Sequence, residues 1–278
     1  MIHAVKSPLA RILGSVLFYT FLVIILVCLL FPILWMFLAS FKHNVDILNT
    51  DKLFIFKPSL ENYVEVFVTY DFLKPIKNSF IVGSLSTLIA LLLSLPAAYI
   101  VAREKQHVVS GIILVIRIIP AITFLVPWYI IFNKIHLSGT YAALIICHLI
   151  ISLPLITWIM IPYYETIPLE LEESAWIDGC SRMGTFSRIM LPLSTPGILT
   201  AAILAIVFSW NNFLFALILC SSNTTTLPIA IFQFIGYAEI HWDYMMAASV
   251  IITLPIIIIS LFLQRYVVTG LTAGAVKG

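Results

Sequence analysis

The chain has 278 residues, of which 62% are hydrophobic and 10% charged, with a formal net charge of +2 and a mean hydropathy of +1.09. Soluble domains carry about 25% charged residues, so this composition excludes an ordinary soluble fold and points to an all-α, polytopic membrane helix bundle. No Lys/Arg-rich run offers a nucleic-acid surface, and Cys28, Cys147, Cys180 and Cys220 stand too far apart in sequence to form a metal-ligand pair.

A membrane-crossing helix needs about 20 mostly apolar residues. Six stretches satisfy this: Val16–Leu38, Phe80–Ala102, Gly111–Phe132, Tyr141–Pro162, Ile198–Leu219 and Tyr244–Leu263. The first follows Lys6 and Arg11 and exceeds the roughly 7–15-residue core of a cleavable leader, so it is expected to be an anchor. Proline falls inside several spans, at Pro32, Pro96, Pro120, Pro127, Pro154 and Pro255. Membrane helices tolerate it because neighbours re-satisfy the freed carbonyls. The 278 residues are expected to form one transmembrane domain.

Orientation follows from the loops. With the N-terminus inside, the arginines outside the spans (Arg11, Arg103, Arg182, Arg188 and Arg265) all lie on the inner side. Lys42, Lys74 and Lys77, close to spans on the outer side, oppose that placement. Arg117 is the one charge well inside a span. At the centre of a bilayer an arginine costs about 2.5–3.5 kcal/mol on insertion scales. Less than two turns from the inner end of its span, it is expected to snorkel to the headgroups, with a pathway role as the alternative. His148 is expected to stay neutral and hydrogen-bond a neighbouring helix.

The longest polar break in the second half runs through Glu172-Glu173-Ser174-Ala175-Trp176-Ile177-Asp178-Gly179 and continues to Ile189-Met190-Leu191-Pro192. Pro168 suits a first helical turn, and Glu170, Glu172 and Glu173 complement the positive end of a helix. Gly179 suits a C-terminal cap, and Ser181 can cap a second short helix. The loop, about 165–196, is therefore expected to form a compact two-helix knob.

In the fifth span Phe208, Asn211, Asn212 and Phe215 fall at helical spacing, on one expected stripe. Amides there can bond sugar hydroxyls and rings can pack on a sugar face, or the amides can simply join helices. After that span, the apolar piece Leu227–Tyr237 is too short to cross and is expected to dip back or lie at the interface. The tail, with Gly270, Gly274 and Lys277, lacks the Gly-Lys-Ser/Thr spacing of a phosphate loop. No ATP binding by this chain is expected, and no zincin or nucleophile-elbow motif marks an intramembrane enzyme.

The Glu173-Ser174-Ala175 stretch with its Gly179 and Ile189-x-Leu191-Pro192 resembles the Glu-Ala-Ala loop of ABC import permeases, with Ser174 in place of the first alanine. Further matching stretches are Arg117-Ile118-Ile119-Pro120, Pro196-Gly197, Trp210-Asn211-Asn212-Phe213, Leu227-Pro228, the Met246-Ala247-Ala248 run and Gly270 to Gly278. They make the chain similar to the smaller, six-span subunit of maltose-type carbohydrate permeases. Patterns of that family often carry an acid where this chain has Asn212. The resemblance implies a second permease subunit as partner, two copies of a cytoplasmic ABC ATPase holding the ATP and Mg, and an extracytoplasmic solute-binding protein. It implies ATPase coupling through Glu172, Glu173, Ser174, Ala175, Asp178, Gly179, Ile189, Leu191 and Pro192. It also implies an ATPase contact for Gly274, Lys277 and Gly278, and a binding-protein contact for the loop around Ser222–Tyr237. The competing reading is a self-contained secondary transporter or channel. Proton-coupled carriers keep acids in their spans, and no Asp or Glu lies in the six stretches.

Overall fold

The computed structural model describes residues 8–236 and 239–273, with side chains from 14 to 236 and from 239 to 261. In chain order the helices are α1 (Pro8–Ala39), α2 (Asn44–Ile47), α3 (Glu61–Val68), α4 (Leu73–Arg103), α5 (His107–Ile118), α6 (Leu125–Lys134) and α7 (Tyr141–Thr166). The knob holds α8 (Glu170–Ile177), α9 (Arg182–Thr185) and α10 (Leu191–Leu193). Then come α11 (Thr195–Trp210), α12 (Leu214–Leu219), α13 (Leu227–Ala230) and α14 (Trp242–Ala273). The β structure among the described residues is one isolated antiparallel bridge, Ile235 to Ile240.

Four helices, α1, α4, α7 and α14, are long and apolar enough to cross a membrane unbroken. Two bent pairs raise the number to six if each is one span. One joins His107–Ile118 to Ala121–Lys134 at 86°, the other Arg182–Leu193 to Thr195–Trp210 at 76°.

Two of the expected spans are not single continuous helices. The third is not one helix: Ile119 is extended (φ −64°, ψ 124°) before Pro120. Proline forces its predecessor out of the helical region and offers no N–H to the turn before it. The fifth is split between α11 and α12. There the amides leave the helix pattern: Asn211 turns its Nδ2 back to the Val207 carbonyl (2.9 Å), and Asn212 Oδ1 accepts the Phe215 N–H (3.2 Å). Short amide side chains compete with the backbone in this way and favour helix ends. By contrast Pro32, Pro96, Pro154, Pro162 and Pro255 remain inside helices.

The described residues group into two compact units. The first comprises residues up to Tyr70 and Phe234–Ile251. In it, none of the apolar window of α1 is buried. The loop after α1 is built on buried polar groups. Lys42 is fully buried, its ammonium donating to the carbonyls of Lys52 (2.9 Å) and Leu53 (2.6 Å) and lying over the rings of Trp35 and Phe56. Burial holds its pKa below the usual lysine value, against the pull of Asp46. Lys42 is thus committed to loop structure, which accounts for a lysine that the charge pattern left unexplained. Asn62 ties the carbonyls of Ser40 and Lys42, both at 2.8 Å, and Asn44 accepts and donates within 239–243.

The second unit comprises Asp71–Gln233 and the residues from Ile252. Its core lies where α4, α7 and α11 pack together, around Ala90, Ala98, Ile156, Met160, Tyr164, Ala201 and Ala205. Small residues let membrane helices approach, since lipid offers no hydrophobic drive to bring them together. Gly197 shows how close: a Cβ there would lie 2.6 Å from the Tyr163 ring. His148 behaves as expected, with Nδ1 2.5 Å from Ser209 Oγ on α11. The segment after α12 is fastened to the start of α4. Asn78 donates to the carbonyls of Asn223 (3.0 Å) and Thr225 (2.8 Å), and Leu227 N–H donates to Ser79 Oγ (2.8 Å).

Candidate functional site

The knob forms by the local rules its sequence obeys. Glu170, Glu172 and Glu173 occupy the first turn of α8, and Ser174 Oγ donates to the Glu170 carbonyl at 2.7 Å. Gly179 takes φ +87°. Its N–H donates to the Trp176 carbonyl (3.0 Å) and the Cys180 N–H to that of Ala175 (2.9 Å). This is a Schellman cap, which needs a left-handed residue at that position. Two residues on, Ser181 Oγ accepts the Gly184 N–H (3.1 Å) and starts α9. Arg182 then lies 4.6 Å over the Trp176 ring, closing the two helices on each other. The chain continues through a π-helical turn, Phe186–Met190, into α10.

The knob has two faces, and the expected coupling residues divide between them. Glu173, Ser174, Asp178, Gly179 and Pro192 are exposed, while Ile189 is half-buried. Glu172 and Ala175 are buried, and Leu191 packs against the α4–α7–α11 core. Glu172 therefore lies on the inner side of the knob, away from its exposed face. Its carboxylate, fully buried, accepts from the Arg103 guanidinium and the Tyr99 hydroxyl at the end of α4. Arg103 also donates to the Ile167 carbonyl (2.9 Å), where the chain leaves α7. Buried charges persist when they are paired and further hydrogen-bonded, and this cluster joins α4, α7 and α8. Sequence reasoning missed Tyr99 and Arg103 as its members. It also missed Ile177 and Met183, 87% and 69% exposed, which give the tip of the knob apolar side chains.

The fifth-span stripe is not assembled as one helical face. Phe208 is half-exposed on the last turns of α11 and Asn211 is exposed at its end. Asn212 caps the restart, and Phe215 is fully buried beside Phe132, Leu144 and Cys147. Phe208 does line a cavity of ≈ 340 Å³ with Arg117, Pro120, Ile151 and Pro154. A second, tighter recess holds His148, Ser209 and Asn212 and shares Ile151 and Phe208 with the first. Gly274, Lys277 and Gly278 lie outside the described residues.

A family model described as "Binding-protein-dependent transport system inner membrane component" matches residues 91–272, which takes in α7, the knob and α11. The chain belongs to that family. Two relatives of this permease match along nearly their whole length. The trehalose/maltose transport system permease protein MalG of Thermococcus litoralis is 36% identical over 285 residues, covering 100% of both chains. The sulfoquinovosyl glycerol transport system permease protein SmoH of Agrobacterium fabrum is 36% identical over 260 residues, 92% of this chain and 91% of the relative. Among solved structures, a bacterial ABC transporter involved in import of the acidic polysaccharide alginate superposes with a TM-score of 0.81 at 18% identity. It covers 94% of this chain and 98% of the other, and shows that the two share a fold. The permease is therefore a multi-pass membrane protein of the ABC importer type.

Proposed function

We propose that this permease carries a carbohydrate across the cytoplasmic membrane, as one of two related permease subunits. Two copies of an ABC ATPase, which bind the ATP and Mg, dock on the knobs from the cytoplasm, and a solute-binding protein delivers the sugar from outside. The chain itself performs no hydrolysis. The observation that carries the reading is the two-faced knob. Its inner face is tied to α4 and α7 through the Glu172–Arg103–Tyr99 cluster, and its outer face presents Glu173, Ser174, Ile177 and Asp178 to a partner. Movement of a docked ATPase pulls α8, and the buried ion pair passes the pull to the helices that form the core. Such a relay needs an element with two arrangements that a distant ligand biases. The carbohydrate assignment is supported by the names of the two relatives above. Membership of a binding-protein-dependent family sets aside the self-contained transporter.

Cysteine labelling tests the arrangement in a background freed of native cysteines. Single cysteines at 182–187 are expected to react from the cytoplasmic side, and those at 223–226 from outside, with the N- and C-termini inside. Labelling with the sides exchanged removes the knob from the reach of any cytoplasmic ATPase.

A further inference from the structure

The two ends of the second unit differ in charge. Helix α4 has 31 residues, about 46 Å at 1.5 Å per residue. Its last residue, Arg103, holds the knob, and its first turn carries Lys74, with Lys77 one turn on. The segment 221–226 bonds both to that start and to Gly139 in the turn before α7. Lys134 and His136, at the end of α6 and just past it, therefore stand at the same end. Lys77, Lys134 and His136 are exposed and Lys74 is half-buried, and none is in an ion pair among the described residues. Asp71 is the one acid there among the described residues of this unit. The others, from Glu104 to Asp178, belong to the knob end. Lysines this close to spans run against the charge bias of an outer face. Lys42 is accounted for by its place inside a loop, but these lysines keep their charge at the surface.

The surface that carries them is fixed in advance. Asn78, 1% exposed, donates to the carbonyls of Asn223 (3.0 Å) and Thr225 (2.8 Å) and accepts the Tyr141 hydroxyl (2.7 Å). From the other side the Gly139 carbonyl accepts Ser221 Oγ (3.0 Å) and Thr224 Oγ1 (3.1 Å). Between these ties Asn223 offers its Oδ1 to the Lys74 ammonium at 3.0 Å. A neutral partner orders the lysine and leaves its charge uncompensated. Ordering a long side chain is normally part of the cost of docking, and here that step precedes any partner.

We propose that Lys74, Lys77 and Lys134, set around the fixed segment 221–226, form an electrostatic docking surface for an acidic rim on the solute-binding protein. This rests on the importer reading, which supplies that protein and places this end outside. It adds the sign of the recognised charge and residues on α4 and α6, beyond the Ser222–Tyr237 loop. Carboxylates on the partner meet the lysines, and the attraction acts mainly on the rate of encounter.

The test uses the complete importer in phosphatidylcholine nanodiscs, with its own purified solute-binding protein as the probe. Between about 50 and about 300 mM salt, the association rate of wild type is expected to fall at least about tenfold. At the lower salt, Lys77→Glu and Lys134→Glu are each expected to slow association about threefold, and the triple reversal with Lys74→Glu at least about tenfold. Lys105→Glu, at the knob end of α4, is expected to leave the rate unchanged. Lys77 and Lys134 are exposed, so both single variants are expected to retain the ATPase and its basal hydrolysis. Absence of docking to wild type overturns the importer reading itself. Docking indifferent to salt and to the reversals overturns the surface and leaves that reading standing. Equal slowing by Lys105→Glu makes the effect one of net charge and also overturns the surface. Wild-type association by the variants, with loss of co-purified phosphatidylglycerol, assigns the lysines to lipid and overturns it as well.

Discussion

Two arginines on consecutive helices live under different rules. Arg103 closes α4 with a carboxylate, a tyrosine hydroxyl and a carbonyl around it, and its side chain is 15% exposed. Arg117 closes α5 with a cavity in front of it and, among the described residues, no acid in ion-pair reach. The first charge is neutralised inside the fold and fixes how the knob is set against the bundle. The second lines a cavity with no acid partner among the described residues. Charge in an apolar protein is thus informative by its partner, and the same residue type is buried in an ion pair at one position and exposed beside a cavity at the other.

The largest expected effect breaks the architectural side. Glu172→Leu strands Arg103, and loss of one member of a buried pair costs about 3–5 kcal/mol. The variant is expected to lose its monodisperse peak and melt earlier in detergent. A Glu172→Met/Arg103→Met double variant recovers most of the loss, since an apolar pair of similar size replaces a buried ion pair without large cost. A Glu172→Leu protein as stable as wild type would erase the distinction between the two arginines.

A second test sharpens the exposed side. Phe215→Ala removes a fully buried ring and is expected to cost about 3–5 kcal/mol, read as lost thermal stability. Asn211→Leu, at an exposed end of α11, is expected to leave stability within about 0.5 kcal/mol and to alter uptake. Equal melting of the two variants would return both residues to one surface.

The smallest expected effect on stability is the most diagnostic for coupling. Glu173→Lys changes an exposed residue and is expected to shift stability by less than about 0.5 kcal/mol. Coupled uptake and retention of the ATPase on the purified complex are nevertheless expected to fall, because a reversed charge opposes the docked surface. Full ATPase retention with normal uptake would detach Glu173 from the interface.

The knob was legible wherever the rules are local. Gly179 and Ser181 are read from their immediate neighbours, and both form the caps that their residue types favour. The division between Glu172 and Glu173 was not legible. Adjacent helix positions point about 100° apart, and which of them turns inward depends on where α4 ends with Tyr99 and Arg103. The breaks in the spans were half legible. Pro120 interrupts its span, but Pro154 and Pro162 do not interrupt α7, whose neighbours α4 and α11 keep it packed along its length. At Asn211–Asn212 helical spacing was read through a point where two amide side chains stop the helix.

The bare surface of α1 has a consequence of a different kind. From Gly14 to Leu34 every residue is exposed within this chain, and burial begins only at the end that leads to Ala39; lipid tails are as apolar as leucine. Nothing here tells Leu22 from isoleucine, or Val23 from leucine. Many strings of letters would therefore write this helix equally well, whereas Gly197 under the Tyr163 ring admits one. The stretch specifies little beyond its own length and greasiness, and the family model, which begins at residue 91, leaves it unread.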